Sequence, residues 1–172
     1  CQPQNKEVAN EDAQTNIEED KYQTLLNKYV AVKLEADLSD LSENQRKMIP
    51  LLIEVGEIMD DIFWKEAYGD KTAFLASIED EKARQFAEIN YGPWDRLNGN
   101  ATFIDGVGEK PAGANYYPTD MTKEEFENWE NEDKKSLYTL VRRNDAGELI
   151  TIPYREAFSE ELQRASALLK EA

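Results

Sequence analysis

Carboxylates dominate the groups in this 172-residue chain that could do chemistry: 36 Asp and Glu stand against 20 Lys and Arg, and there is no histidine. Without histidine the commonest general base and the commonest zinc ligand are both missing. A Ser-His-Asp triad, a Cys-His dyad and an HExxH zinc site are therefore excluded within the chain. The single cysteine is residue 1, so no disulfide can close internally. Asp60, Asp61 and Glu66 fall on one helical stretch and invite a metal or acid/base reading. Adjacent helical residues point about 100° apart, however, and a solvated face accounts for Asp60 and Asp61 equally well. Glu124, Glu125, Glu127, Glu130, Glu132 and Asp133 form a second acidic cluster. It lacks the alternating Asp/Asn and the Gly of a calcium loop and again reads as a solvated face. A carboxylate-only glycosidase needs two acids about 5 to 10 Å apart in a rigid cleft, and no such pair stands out. The sequence nominates no catalytic residue and no metal ligand in this chain.

Binding groups are easier to find. Tyr91 to Pro118, YGPWDRLNGNATFIDGVGEKPAGANYYP, holds five of the eight glycines and three of the six prolines, together with a Trp, three Tyr and a Phe. Tyr91, Trp94, Tyr116 and Tyr117 are amphipathic rings of the kind that line ligand clefts. Asp95, Arg96, Asn115 and Glu109 are polar groups able to orient a ligand there. The stretch lacks the GxGxxG and P-loop patterns of phosphate sites. It reads as a linker, as a packed loop that plugs a helix seam, or as one wall of a substrate cleft. Its ring content argues against disorder, and loops of this length inside a domain are commonly functional.

Composition limits the partners. The formal net charge is −16, which argues against nucleic acid or an anionic membrane surface, since both need a basic patch. No apolar run approaches the 18 or so residues needed to span a bilayer. A leading Cys followed by QPQNKEVANEDAQTNIEED, with six acids and one Lys in residues 2–20, is expected to be a disordered tether with a lipid on Cys1. The protein would then be exported and lipid-anchored, touching the membrane only through that lipid. Alternatively, Cys1 simply begins the chain.

The elements that must position these groups are mostly helical. Tyr22, Leu25, Leu26 and Tyr29 have helical spacing, and Val30 to Leu34 reads as extended or loop. Ser42 with Gln45 forms a capping box for the strongest helix. Its apolar stripe of Met48, Leu52, Val55, Met59 and Ile62, widened by Ile49, Ile53, Ile58 and Phe63, predicts a well-buried helix. Pro50 should kink it or mark its first turn, and Gly69 should stop it. Helices are expected over Lys71–Ser77 and over Asp80–Ile89, the latter with Ala83, Phe86, Ala87 and Ile89 inward. Thr122 with Glu125 gives a second capping box, starting a helix with Phe126 and Trp129. Leu137–Val141 and Leu149–Ile152 flank the turn Asn144–Gly147 and predict one β-hairpin. Arg155 to Ala172 is a last amphipathic helix that runs to the final residue and reads as cut rather than finished. The fold class is mostly α (α+β): a helical lobe with a long ordered aromatic, Gly- and Pro-rich loop and one hairpin.

Four runs carry a resemblance. LSDLSENQRKMIPLLIEVGEIMDDIFWKEAYGDK, FAEINYGPWDRLNG, GVGEKPAGANYYPTDMTKEEFE and DKKSLYTLVRRNDAGELITIPYREAF resemble, in that order, the N-terminal part of bacterial (Bacteroidetes-type) lipoproteins related to dipeptidyl peptidase III, the M49 zinc metallopeptidases. The likeness spans roughly residues 25–172. It includes neither the family's helical HExxGH element nor its downstream carboxylate element. The resemblance implies that residues 21–172 are the N-terminal lobe of a larger peptidase-like protein. That lobe would help form a peptide cleft, and zinc would be bound outside this chain, where metal-polarised water attacks a peptide carbonyl. Partners would be the peptide substrate and the remainder of the same polypeptide. The alternative is a non-catalytic exported lipoprotein module that binds a peptide, glycan or protein through the aromatic loop.

Overall fold

A computed structural model describes residues 20–172. Cys1 and nearly all of the expected tether lie outside the described residues; Asp20, the last residue of that span, caps the first helix. The chain is mostly α, as its periodicity implies, with two small antiparallel sheets. Helix α1 is Lys21–Leu26, and the residues from Lys28 to Ser39 leave it as irregular chain. Val30, Val32 and Leu34 stand almost fully exposed there. None of the helices described is long and apolar enough to cross a membrane.

Helix α2, Glu43–Ala67, is the spine. Its capping box is complete: Gln45 N–H donates to the Ser42 hydroxyl at 3.3 Å and Ser42 N–H donates to Gln45 Oε1 at 2.9 Å. Pro50 sits eight residues into the helix, neither its first turn nor its end. The helix stops as expected at Gly69, whose N–H reaches back to Trp64 O at 3.1 Å from a positive φ of 137°. Burial departs from the periodicity. Only Ile58, Ile62 and Trp64 are buried, whereas Leu52, Ile53, Met59 and Phe63 are exposed. Helix α2 packs chiefly on the last helix, and part of its apolar stripe is left open to solvent.

Two clusters meet along α2. The first gathers Trp64, Phe74, Ile78, Ala83, Phe86, Ala87 and Phe103. It draws on α3 (Lys71–Ala76, capped by Asp70) and α4 (Glu81–Asn90, capped by Asp80). The inward face of α4 is Ala83, Phe86, Ala87 and Asn90, an i, i+3, i+4, i+7 set. Ile89 lies off that face and is 40% exposed, contrary to the expected inward position. Phe86 is completely buried, with Phe103 at 4.6 Å and Tyr29 at 5.9 Å, both edge-on. The second cluster joins Ile62 to Leu140 and Phe158, flanked by Tyr116, Tyr154 and Ala157.

The long loop carries its own small ladder, which the sequence did not announce. β1 (Trp94–Asp95) pairs antiparallel with β2 (Ala101–Thr102). Helix α5 is Lys123–Asn128, with the Thr122 hydroxyl accepting from Glu125 N–H at 3.0 Å. The reciprocal half of that capping box is replaced, because the Glu125 carboxylate takes a two-pronged bond from Arg143 at 2.9 Å on each oxygen. The expected hairpin forms, shifted two residues at its first strand: β3 is Thr139–Arg143 and β4 is Leu149–Pro153, with Val141 opposite Thr151. Leu137 and Tyr138 are exposed and outside the ladder. Asn144 builds the turn, its Oδ1 accepting from Ala146 and Glu148 N–H. The final helix is broken at Phe158 (φ −122°, ψ 32°) into α6, Tyr154–Ala157, and α7, Ser159–Glu171. The break swings the Phe158 ring into the second cluster.

Candidate functional site

The aromatic loop starts where α4 stops. Tyr91 ends that helix in the left-handed conformation, φ 54° and ψ 43°, a position that usually belongs to glycine. A non-glycine residue there costs about 1 kcal/mol or more. Three contacts hold the ring in place. Its hydroxyl donates to Asp60 of α2. The ring meets Phe63 edge-on at 4.8 Å and Trp64 at 5.2 Å. The hydrogen bond to Asp60, reinforced by burial, pushes the Tyr91 phenol above its ordinary pKa. Asp60 is thus no solvated bystander, and Lys71 also approaches it, at 3.7 Å. A non-glycine residue under strain that several contacts over-determine is a common companion of function.

The next residues turn inward. A Cβ on Gly92 (φ 141°) would touch the Trp94 and Tyr68 rings at 3.4 and 3.5 Å. Trp94 is buried, and its indole N–H donates to Gly108 O at 2.9 Å, tying the two ends of the loop together. Asp95 is buried as well. One carboxylate oxygen accepts from Lys28 Nζ at 2.7 Å and the other from Leu97 N–H at 3.0 Å. Asn90, also buried, donates to Phe86 O and accepts from Arg96 N–H. The backbone at Trp94–Arg96 is therefore fixed from below by α4 and from the side by Lys28.

Arg96 comes back to the surface. Its guanidinium stacks over Tyr91 at 4.8 Å and over Phe63 at 5.5 Å. Lys110, 14 residues on, sits over the Trp94 ring at 5.9 Å. Burial, and then the charge of Arg96, hold the Lys110 ammonium below its ordinary pKa. Lys110 borders a cavity of about 700 Å³ together with Asn100, Thr102, Glu109 and Pro111. The structure thus brings Tyr91 and Arg96 together, sets Lys110 over the buried Trp94, and places Glu109 beside Lys110 at the cavity.

Asn115, Tyr116 and Tyr117 form a separate group one turn further along α2. Asn115 Nδ2 donates to Lys65 O at 2.6 Å, and its backbone N–H to Glu66 O at 3.0 Å. The Tyr116 hydroxyl donates to Glu66 Oε2 at 3.0 Å, and Tyr116 O accepts from Val141 N–H at 3.0 Å. Arg142 caps the carbonyls of Asn115 and Tyr116 at 2.8 and 3.2 Å. Tyr154 completes this patch; burial first, then the Glu66 charge, raises its phenol far above the usual range. Tyr117 packs edge-on against Phe126 at 5.6 Å, with no room for a Cβ on Gly113 at 2.6 Å from its ring. These contacts bind the loop's second end to α2 and to the β3–β4 hairpin.

Sequence reasoning missed Phe63, Lys110, Glu66 and Tyr154 as partners of the candidate residues. Lys110 had a local signal, a cation in the ring-rich stretch. The others are set by the packing of α2 and carried none. Zinc, which the family resemblance implies for a complete protein, does not fit the groups present. The chain has no histidine, and among the described residues no three Cys, Asp or Glu converge as a metal set.

Comparison with known proteins bears on what such a surface is for. No protein-family model matches the chain. Two solved structures are similar: dipeptidyl peptidase III from Caldithrix abyssi, 37% identical with a TM-score of 0.79, and dipeptidyl-peptidase III from Corallococcus sp. strain EGB, 28% identical with a TM-score of 0.77. They match 86% and 87% of this chain, and the chain spans only 30% of each. Among curated proteins, Nudix hydrolase 3 of Arabidopsis thaliana is 28% identical over 87% of this chain, which spans 28% of that protein. The two structures relate this chain to dipeptidyl peptidase III in both fold and sequence.

Proposed function

We propose that this chain is the N-terminal lobe of a zinc-dependent, dipeptidyl-peptidase-III-like hydrolase. In this reading it forms part of the peptide-binding cleft and leaves the metal chemistry to residues elsewhere in the protein. The observation that carries the reading is the match to the Caldithrix abyssi structure, 37% identical over 86% of this chain but only 30% of that one. Uncovered apolar surface supports it: Val30, Val32 and Leu34 on the irregular segment, and Leu52 and Ile53 on α2, are exposed in a way that invites further polypeptide. The Nudix hydrolase 3 match, at 28% identity, carries less weight than the 37% match.

Within such a protein the residues here would bind and orient rather than react. Tyr91 offers ring surface, Arg96 and Lys110 offer charge, and the buried Trp94 is a strut beneath Lys110. Asp60 holds the Tyr91 hydroxyl, and Asn90 and Asp95 hold the backbone N–H groups of Arg96 and Leu97. The proposal predicts that the 172-residue chain alone does not hydrolyse dipeptidyl-naphthylamides with added zinc, whereas the protein from the complete reading frame does. Metal-dependent turnover by the 172-residue chain would contradict it, as would a complete protein that fails to release dipeptides.

A further inference from the structure

Residues 29–38 run between α1 and α2 without regular structure, yet their pattern is that of a strand. Val30, Val32 and Leu34 alternate with Ala31, Lys33 and Glu35, the period-2 arrangement of a strand with one apolar and one polar face. The side chains follow that geometry. Lys33 and Glu35, two residues apart, form an ion pair, and residues i and i+2 share a face in a strand. Asp37 ends the run, its carboxylate accepting from Ser39 N–H at 2.8 Å in a turn.

Among the described residues nothing pairs with this strand. No backbone N–H or C=O of residues 30–37 takes part in a hydrogen bond there. β1 pairs with β2 and β3 with β4, and neither ladder takes the segment up. Its apolar face is open as well, with Val30 83%, Val32 73% and Leu34 92% exposed. The segment is nevertheless held at both ends. Tyr29 meets the buried Phe86 edge-on at 5.9 Å, and Lys28 is fixed on Asp95. At the other end Arg46 Nη2 donates to Ser39 O at 3.0 Å. A strand with bare ladder groups and a bare apolar face, pinned at its two ends, is a template for another strand.

Two features select the occupant. The solved relatives share this fold, and this chain spans only 30% of each, so most of their polypeptide lies outside the shared part. A strand from the same polypeptide meets residues 30–36 at the high effective concentration that a covalent connection gives. A second copy is disfavoured, because each carries a net charge of −16 and like-charged chains repel.

We propose that residues 30–36 are a sheet strand completed by a strand from the remainder of the same polypeptide, with Val30, Val32 and Leu34 turned into the core that the two parts share. That the partner is covalently connected rests on the reading of this chain as a lobe of a longer protein. The unpaired strand itself rests on the structure.

Residue-resolved amide hydrogen exchange, on the protein from the complete reading frame and on the 172-residue chain, is the test. Amides within 30–36 should exchange about a hundredfold or more slowly in the complete protein than in the 172-residue chain. One partner strand slows alternate amides, and a strand on each side slows consecutive ones; either result supports the pairing. Adjacent N–H groups point to opposite sides, so at least one of V32P and K33P removes a ladder donor and should return its neighbours to fast exchange. V32T keeps the donor and the β-branch and should not. Exchange elsewhere in the lobe establishes that each variant is folded. The readout needs no turnover, so a failure of dipeptide release would count against the peptidase reading alone. Free exchange of residues 30–36 in the complete protein would overturn the proposal, as would slow exchange that survives both proline variants. Slow exchange already present in the 172-residue chain would also overturn it, and a dependence on protein concentration would assign the strand to a second copy.

Discussion

Lys28 and Asp95 are 67 residues apart, and their contact decides whether the first turn of the aromatic loop is held. The Asp95 side chain is 3% exposed and that of Lys28 36%, with 2.7 Å between Nζ and Oδ2. Replacing Lys28 by Met leaves the carboxylate buried with only the Leu97 N–H as partner. Breaking a fully buried pair from one side costs about 3 to 5 kcal/mol. Lys28 is partly solvated, which screens the pair, so K28M should cost about 2 kcal/mol. In the K28M background D95N removes the orphaned charge, and it should therefore cost less there than in the wild type, with a coupling of about 1 kcal/mol. Urea unfolding followed by far-ultraviolet circular dichroism on the four proteins of the cycle measures both quantities. A K28M cost below about 0.5 kcal/mol, within the range of ordinary surface changes, would refute the reasoning. Equal costs of D95N in the two backgrounds would do so as well.

Other perturbations give further expected outcomes. Phe86→Ala removes a completely buried ring between Phe103 and Tyr29 and should destabilise by about 3 to 5 kcal/mol in the same assay. Arg143 holds the Glu125 carboxyl below its ordinary value of 4.5. The stabilisation from that depressed pKa is present above the unfolded value and fades as pH falls through the folded one. E125Q should therefore lower Tm at pH 7 but flatten its decline below pH 4.5, and an unchanged acid slope in E125Q would count against the pair. Gly113→Ala puts a methyl 2.6 Å from the Tyr117 ring at φ 81°, so Tm should fall by several degrees; an unaltered Tm would show that the loop is loose there.

Local chemistry made much of this fold legible. Ser42 with Gln45, Gly69 at the helix end and Asn144–Gly147 between strands each act through neighbours two to five residues away, and each is found where the sequence puts it. What depends on contacts distant in sequence was hidden. The periodicity of α2 marks a wide apolar stripe, but the choice of Trp64 over Phe63 for the interior depends on where α3 and α4 land. Tyr91 gives no local sign of a left-handed backbone, because the contacts that sustain it, Asp60, Phe63 and Trp64, lie about 30 residues earlier. The candidate residues were selected for ring and charge type, and type does not separate buried struts from surface groups. Trp94 and Asp95 turn inward, Arg96 turns outward, and Asn115 to Tyr117 fasten the loop to α2 and the hairpin.

The central claim, that the Tyr91–Pro118 loop forms one wall of a peptide cleft, is tested most directly by amide hydrogen exchange of the complete protein with and without a non-hydrolysable peptide. The account predicts slowed exchange at residues 91–97 and 109–113 when the peptide binds. Slowed exchange elsewhere in the protein, with these residues unchanged, would contradict it.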